Sequence, residues 1–396
     1  MRSFRHIVPA LRLFHGHDSL GMLGKELERT GCSRAVLFCG SSLAREGVAD
    51  RIRAAAGARC AGVFSGVKAH SPLPVVEAAA AYLESLNADG VIALGGGSAI
   101  VTARAASILL AEQGDARTFC TSRGEDGKLR SPKLLAPKLP QFVIPTTPTT
   151  ATLKVGSAVL DPVDGKRLAL FDPKTRAQAV FIDPELLATP PRELVVSAGL
   201  NTLAMALEGL MSRSGDPFSD ALLMHAARLL RQRLMETGGK DDSNHGSDSN
   251  NLTVRADLMF ASLLCGHGTD YTGAGIAIPL GHAISARFHI DNGLTNAIVL
   301  PHVVRFNEEA AGAGLQKLVD AFGLNADRRA PALVVVDAIQ AIFDALVVPK
   351  RLRDIGVTRE SLPHLAAISM EDWFVRDNPR RVRDAGELEQ VLENAW

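Results

Sequence analysis

Three stretches of the chain hold residues whose type and spacing suit them to chemistry. In "VIALGGGSAIVTARA" an apolar run ends in Gly95, Gly96, Gly97 and Ser98 and passes directly into a helical pattern. Glycines let a phosphate approach the backbone, and a helix starting there offers unpaired N–H groups and the positive end of its dipole. A tight strand–helix turn needs one glycine, so three in a row indicate a phosphate site, with Ser98 as N-cap or further donor. Neither the GxGxxG fingerprint nor the P-loop pattern is present. In "IPTTPTTAT" (144–152) five threonines follow another apolar run, placing hydroxyls where a parallel sheet binds ligands. Taken alone, such a tract is also a solvated turn. The third stretch, "AGLNTLAMALEGL" (198–210), sets Asn201, Met205 and Glu208 three and four residues apart, on one face of a helix.

Positioning these residues takes elements that the hydrophobic pattern predicts. "RAVLFCG" (34–40), "CAGVFSGV", "GVIALGGG" (90–97) and "QFVIPTT" (141–147) are strands. Between them, "SLAREGVADRIRAAAG", "PLPVVEAAAAYLESLNA" and "SAIVTARAASILLAEQG" are helices. The strict alternation predicts βαβ units and a mostly parallel sheet, hence a Rossmann-like α/β domain. Residues 115–140 are rich in Gly, Ser, Lys and Pro and predict a long surface loop. Beyond Pro191 only helical patterns remain, which predicts an all-α second domain. The boundary falls near Asp183–Pro191, giving domains 1–185 and 186–396. The tract "GGKDDSNHGSDSNN" (238–251) is low in hydrophobicity and predicts a mobile helix–helix loop.

Bulk properties exclude several classes of function. At 396 residues the chain is too long for one core, in line with two domains. Basic and acidic residues both total 43, leaving no excess for nucleic acid or an anionic membrane, and aromatic content of 5% argues against base-stacking platforms. The expected partner is a small molecule. Five scattered cysteines without a CxxC pair exclude a disulfide framework and a zinc–thiolate site, and reduced thiols suggest the cytoplasm. The N-terminal "MRSFRHIVPALRLFHGHDSL" lacks the apolar run of a signal peptide, and no apolar segment is read as long enough to span a bilayer.

"GGGSAIVTAR", "IPTT", "FIDPEL", "GLNTLAMALEGL", "NGLTNAIVLPHVVRFN" and "DNPR" resemble, in order and spacing, the iron-containing alcohol dehydrogenase family. The resemblance runs from "LRLFHGHDSLGMLGKEL" to the final helix. It implies a dehydroquinate synthase-like fold: an N-terminal dinucleotide-binding α/β domain, a C-terminal helical domain and an active site in the cleft between them. By the same analogy the protein is a homodimer. Gly95, Gly96, Gly97 and Ser98 match the pyrophosphate loop, and Thr146 and Thr147 the threonines that contact the cofactor. Thr150 lies in the same loop, which reads "TTATLK" in place of the usual Gly-Ser-Glu pattern. Arg167 stands where the family usually has a lysine near the cofactor. Gly40 and Ser41, in "CGSS", stand where many members carry an aspartate against the adenosine ribose. Without a carboxylate to repel a 2′-phosphate, NADPH is expected to be accepted, with NADH not excluded.

The resemblance also says what has changed. Metal-binding members use an Asp and a His four apart and two further histidines; here those positions are Asn201, Met205, Ile278 and Asn292. Asn is a poor neutral ligand, Met is soft and Ile cannot ligate, so no metal is expected. A relocated metal site built from His267, Asp270, His282, His289 and Asp291 is an alternative that no ligand spacing supports. The maleylacetate reductase branch works without metal, and "GLNT" here resembles its "GLNA". "LCG" (264–266), "AHSP" (69–72) and Val101 point to the same branch, although the histidines that it retains in the helical domain are missing. The implied activity is NAD(P)H-dependent reduction of an enone or activated carbonyl, with a place in aromatic catabolism. Hydride addition to an enone gives an enolate, for which hydrogen-bond donors and one general acid suffice.

His282 matches the family's active-site histidine that is not a ligand, and is the candidate acid; a packed helical histidine is the other reading. Asn201 and Asn292 would donate to the substrate, with Met205 and Ile278 filling the vacated ion volume. Lys154, Arg287 and His289 are candidate cations for an acidic substrate, while Glu208, His302 and "DNPR" read as structural. A second hypothesis is a non-catalytic relative that binds nucleotide and regulates or scaffolds a partner. Dehydroquinate synthase-like lyase chemistry depends on metal and fits poorly.

Overall fold

Apolar runs flanked by helical patterns can bury both faces only inside a parallel sheet, and the first half of the chain builds one. The computed structural model describes residues 3–124, 129–163, 165–237 and 249–396. It divides into two units, Val8–Pro190 and Pro191–Trp396, the second joined by the N-terminal segment that ends at Ile7.

In the α/β unit the strands are β1 (Leu13–His15), β2 (Ala35–Gly40), β3 (Cys60–Val67), β4 (Gly90–Gly95), β5 (Ser122–Arg123), β6 (Leu129–Arg130), β7 (Gln141–Pro145), β8 (Gly156–Leu160), β9 (Arg167–Phe171) and β10 (Ala177–Ile182). Its helices are α1 (Leu23–Arg29), α2 (Ser41–Arg45), α3 (Val48–Ala56), α4 (Leu73–Ser85), α5 (Gly97–Glu112) and α6 (Pro184–Leu187). Six strands form a sheet in the order β1-β10-β7-β4-β2-β3, every pair parallel. β5–β6 and β8–β9 are separate antiparallel pairs. Central strands are sealed on both faces: Val36, Leu37, Phe38, Ile92, Leu94, Phe142 and Ile144 are all fully buried.

The chain leaves β2 for β3 on one side and returns to β4 on the other. Strand order therefore reverses between β2 and β4, and ligands of open α/β sheets bind beyond the carboxyl ends at such a point.

Three expectations need correction here. The helix predicted after β2 is two helices, α2 and α3, because Gly47 at φ +75° breaks it. Residues 186–190 stay with the sheet: Asp183 caps α6 by accepting from Glu185 N at 2.9 Å and is held by Arg51 at 2.6 Å, while Leu186 packs in the sheet core. The first seven residues belong to the helical unit, where the His6 ring stacks 3.9 Å from Tyr271 and its Nδ1 lies 3.1 Å from Asp216 Oδ2. The predicted loop 238–251 lies outside the described residues up to position 248.

The helical unit comprises α7 (Arg192–Met211), α8 (Pro217–Thr237), α9 (Ser249–Thr272), α10 (Ala277–Phe288), α11 (Asn292–Phe306), α12 (Gly312–Ala321), α13 (Pro331–Leu346), α14 (Leu362–Ser369) and α15 (Ala385–Ala395). One core runs through it, with Leu203, Leu207, Leu280, Ile284, Val299 and Leu300 all fully buried. α7 corrects the expectation that no apolar segment reaches spanning length. Its 20 residues pass that test by length and composition, but 78% of its most apolar window is buried inside the unit, as in a core helix.

Candidate functional site

At the switch point three neighbouring strands end in the residues singled out from the sequence. β2 ends at Gly40, and the exposed Ser41 opens α2. β4 ends at Gly95, whose φ of +131° suits glycine alone. Gly96 is the N-cap of α5, so Ser98 sits inside the first turn and is not the cap that its sequence position suggested. β7 leads into Thr146 and Thr147, both 5% exposed, and Thr146 N donates to Gly95 O at 3.1 Å. A Cβ at Gly96 would lie 2.8 Å from Thr147 Oγ1, and one at Gly97 3.0 Å from Thr149 Oγ1. The glycine and threonine loops therefore form one surface, on which helix-start N–H groups lie beside buried hydroxyls.

The threonine loop is braced from beneath by a residue that sequence reasoning passed over. Arg104 of α5 is fully buried and donates at 2.7 Å to both Ala151 O and Gly156 O. Thr150 is 7% exposed within this braced stretch, and Lys154 is half-buried in it. An arginine on an otherwise apolar helix was the available signal. Arg104→Leu removes both hydrogen bonds made by this buried guanidinium and is expected to cost about 2–4 kcal/mol of stability and to raise the KM for the dinucleotide. Thermal unfolding and steady-state kinetics check both. Arg167, on β9, is half-buried with Nη2 3.4 Å from His70 Nδ1. His70 and Ser71 both have positive φ (61° and 48°), and Ser71 Oγ donates to Ser98 O at 3.1 Å, tying that strained turn to the start of α5.

In the helical unit α7, α10 and α11 carry the other candidates. Asn201 Oδ1 accepts from Asn296 Nδ2 at 2.7 Å. A Cβ at Gly281 would fall 1.6 Å from Asn296 Oδ1, so only glycine lets that amide in. Gly293 meets the Ser197 carbonyl, where a Cβ would come within 1.7 Å, which sets Asn292 against α7 one turn before Asn201. Asn292 Oδ1 and Asn296 Oδ1 are buried acceptors without a hydrogen-bond partner among the described residues. Such atoms are costly unless something binds them. Asn296 was legible only as a polar residue four after Asn292 on an apolar helix.

His282 is placed by Asp372, also unremarked in the sequence. His282 Nδ1 lies 3.3 Å from Asp372 Oδ2, while Asp372 Oδ1 accepts from Phe374 N at 3.0 Å and caps the turn that follows. A carboxylate on Nδ1 sets the tautomer, directs Nε2 away from the pair and stabilises the imidazolium. Glu208, one turn beyond Met205, accepts from Ala277 N at 2.6 Å and so holds the start of the helix that carries His282. The structural reading of Glu208 agrees with this contact.

Burial pushes the Glu208 carboxyl up to about 7, the backbone N–H groups of Ala277, Gly275 and Ile278 oppose that rise, and the Asp372 charge adds to it. Its folded value lies above the ordinary 4.5, so the associated stability is fully present below 4.5 and is lost as pH climbs through about 7. Glu208→Gln keeps the acceptor for Ala277 N–H and removes the titration. Its melting temperature is expected to fall less than the parent's across that window, as thermal scans at stepped pH will show.

A divalent ion does not fit the donor set. Asn201 is engaged by Asn296, and Met205 and Ile278, 6% and 2% exposed, belong to the apolar core. Nor is the relocated site assembled. His267 stacks on His6 at 5.5 Å, Asp270, His289 and Asp291 are exposed, and among the described residues no group of three or more His, Cys, Asp and Glu is placed to hold a metal. Arg287 and His289 sit exposed at the far end of α10 from Ile278, so the structure does not gather them with it as one pocket.

Comparison with known proteins places this geometry among relatives. Residues 10–184 match the iron-containing alcohol dehydrogenase family, and residues 195–396 match its C-terminal family domain. Lactaldehyde reductase of Escherichia coli (strain K12) is 26% identical over 391 residues, spanning 96% of this chain and 97% of that protein. The fold superposes on 1,3-propanediol oxidoreductase with a TM-score of 0.89 at 22% identity, covering 100% of both chains. It superposes on maleylacetate reductase from Agrobacterium tumefaciens with a TM-score of 0.79 at 22% identity, covering 100% of this chain and 99% of that one.

Proposed function

The chain belongs to the iron-containing alcohol dehydrogenase family and is an oxidoreductase, and from that premise we propose that it is a metal-independent, NAD(P)H-dependent reductase of a small, acidic enone or activated carbonyl. The observation that carries this reading is the pairing of Asp372 with His282, on a helix whose Ile278 stands at a position that the resemblance gives to a metal ligand.

The chemistry follows from which groups remain. The glycine loop, with Ser98, Thr146, Thr147 and Thr150 around it, binds the dinucleotide pyrophosphate, and Gly40 and Ser41 leave room for a 2′-phosphate. A reduced nicotinamide held there would supply hydride to the β-carbon of the enone. The π electrons move onto the ketone oxygen, and the enolate is met by the amides of Asn201 and Asn292. His282, as imidazolium balanced by Asp372, delivers the proton, leaving oxidised cofactor and saturated ketone. Charge spread over an enolate needs no Lewis acid, whereas a simple alkoxide does.

The test follows nicotinamide absorbance with NADPH and with NADH, offering maleylacetate and, separately, saturated aldehydes. Turnover of the conjugated diacid at a kcat/KM at least about 10²-fold above the aldehydes is the expected result. Reduction of saturated aldehydes alone would overturn the reading.

A further inference from the structure

A cavity of about 970 Å³ opens in the helical unit where the end of α11, the middle of α13, the segment at Lys350 and Arg351, and one side of α15 meet. Five cations line it (Arg305, Lys350, Arg351, Arg380 and Arg383) against three carboxylates. Each carboxylate is already engaged. Glu387 holds Arg380 at 3.0 Å and Arg383 at 2.6 Å, and Asp337 pairs with Arg329 outside the cavity at 2.5 Å. Asp384 caps α15 by accepting from Glu387 N at 3.2 Å. Lys350 pairs with Asp344.

Two guanidinium groups remain without a carboxylate among the described residues. Arg305 makes no ion pair there, and Arg351 donates only to the Asn394 carbonyl at 2.9 Å. The field they set up is felt by His302, three residues before Arg305 on α11: burial first, then the charges of Arg351 and Arg305, push its imidazole down to about 4. On one wall Arg380 lies 4.0 Å over the Phe306 ring, giving a flat face beside the charges.

We infer that this cavity is a second ligand site, taking a small polyanion with two or more charged phosphate or carboxylate oxygens, held between Arg305 and Arg351. Guanidinium groups bind such oxygens through paired, charge-assisted hydrogen bonds. A cavity of this size holds a metabolite. The site is separate from the candidate catalytic residues of the same unit: Asn292 begins α11, and His302 lies ten residues on, about 15 Å along the axis. Nothing in the proposed reduction uses these arginines.

Calorimetric titration of the full chain with pyrophosphate and with citrate tests the inference and distinguishes the two kinds of oxyanion. The parent is expected to bind at least one of them, and Arg305→Glu/Arg351→Glu to weaken that binding by about 10- to 100-fold. Both side chains are exposed, so the fold should survive, and Arg305→Gln/Arg351→Gln serves if the reversal does not melt cooperatively. Gly96→Val, which alters the other anion-binding loop, is expected to keep the interaction, and the double variant to keep its NADPH affinity. Equal affinity in parent and double variant, loss confined to Gly96→Val, or no binding of either probe would each overturn the inference. So would a change of oligomeric state in the double variant without any anion binding, since the cavity would then be a subunit contact.

Discussion

His282→Ala is expected to lower kcat by about 10²- to 10⁴-fold while leaving NADPH affinity nearly unchanged, the span that a positioned general acid contributes. The separation is expected because His282, on α10, is not among the glycine- and threonine-loop residues proposed to hold the dinucleotide. Its side chain is 18% exposed and that of Asp372 is 14%, so the pair is sheltered but reachable. Asp372→Asn should keep the cap on Phe374 N and remove the charge that stabilises the imidazolium. The alkaline limb of its kcat profile, on which the protonated acid is lost, is then expected to move to lower pH, with a smaller loss of rate than in His282→Ala. Steady-state rates across pH, with cofactor binding measured separately by fluorescence, check both variants. Activity of His282→Ala within tenfold of the parent would mean that the proton comes from elsewhere.

The second large effect is expected at the glycine loop. Gly96→Val should raise the Kd for NADPH by at least about 10²-fold, the worth of one or two charge-assisted hydrogen bonds to phosphate. A Cβ there already meets Thr147 Oγ1 at 2.8 Å, and the two methyls of valine would occupy the space above the start of α5. Either the threonine moves away from the ligand or the phosphate is held off the helix N-terminus. Cofactor titration should show the loss, while the melting of the helical unit stays near that of the parent. Unchanged affinity would remove the pyrophosphate from this loop.

Much of the sheet unit was legible because its signals are local. Apolar strands at 60–67 and 90–95 and the helix after Gly96 follow from period and glycine placement alone. β1 was not visible, since three residues at a sheet edge carry no period of their own. Likewise the N-terminal seven residues could not be assigned from sequence, because His6 finds Tyr271 and Asp216 through packing across more than 200 positions. In the helical unit Asn201, Met205, Ile278 and Asn292 stood out because the resemblance aligns them with metal-ligand positions. Their partners did not. Asn296, Gly281 and Asp372 acquire meaning only once α7, α10 and α11 are packed, when one amide needs a glycine opposite and one imidazole finds a carboxylate.

The central claim, reduction without metal, is tested most directly by one paired measurement: metal content by mass spectrometry on the same preparation whose NADPH oxidation is followed before and after dialysis against EDTA. The account predicts no stoichiometric metal and an unchanged rate. A tightly held metal ion at one per chain, with activity lost to EDTA and restored by adding the ion back, would contradict it.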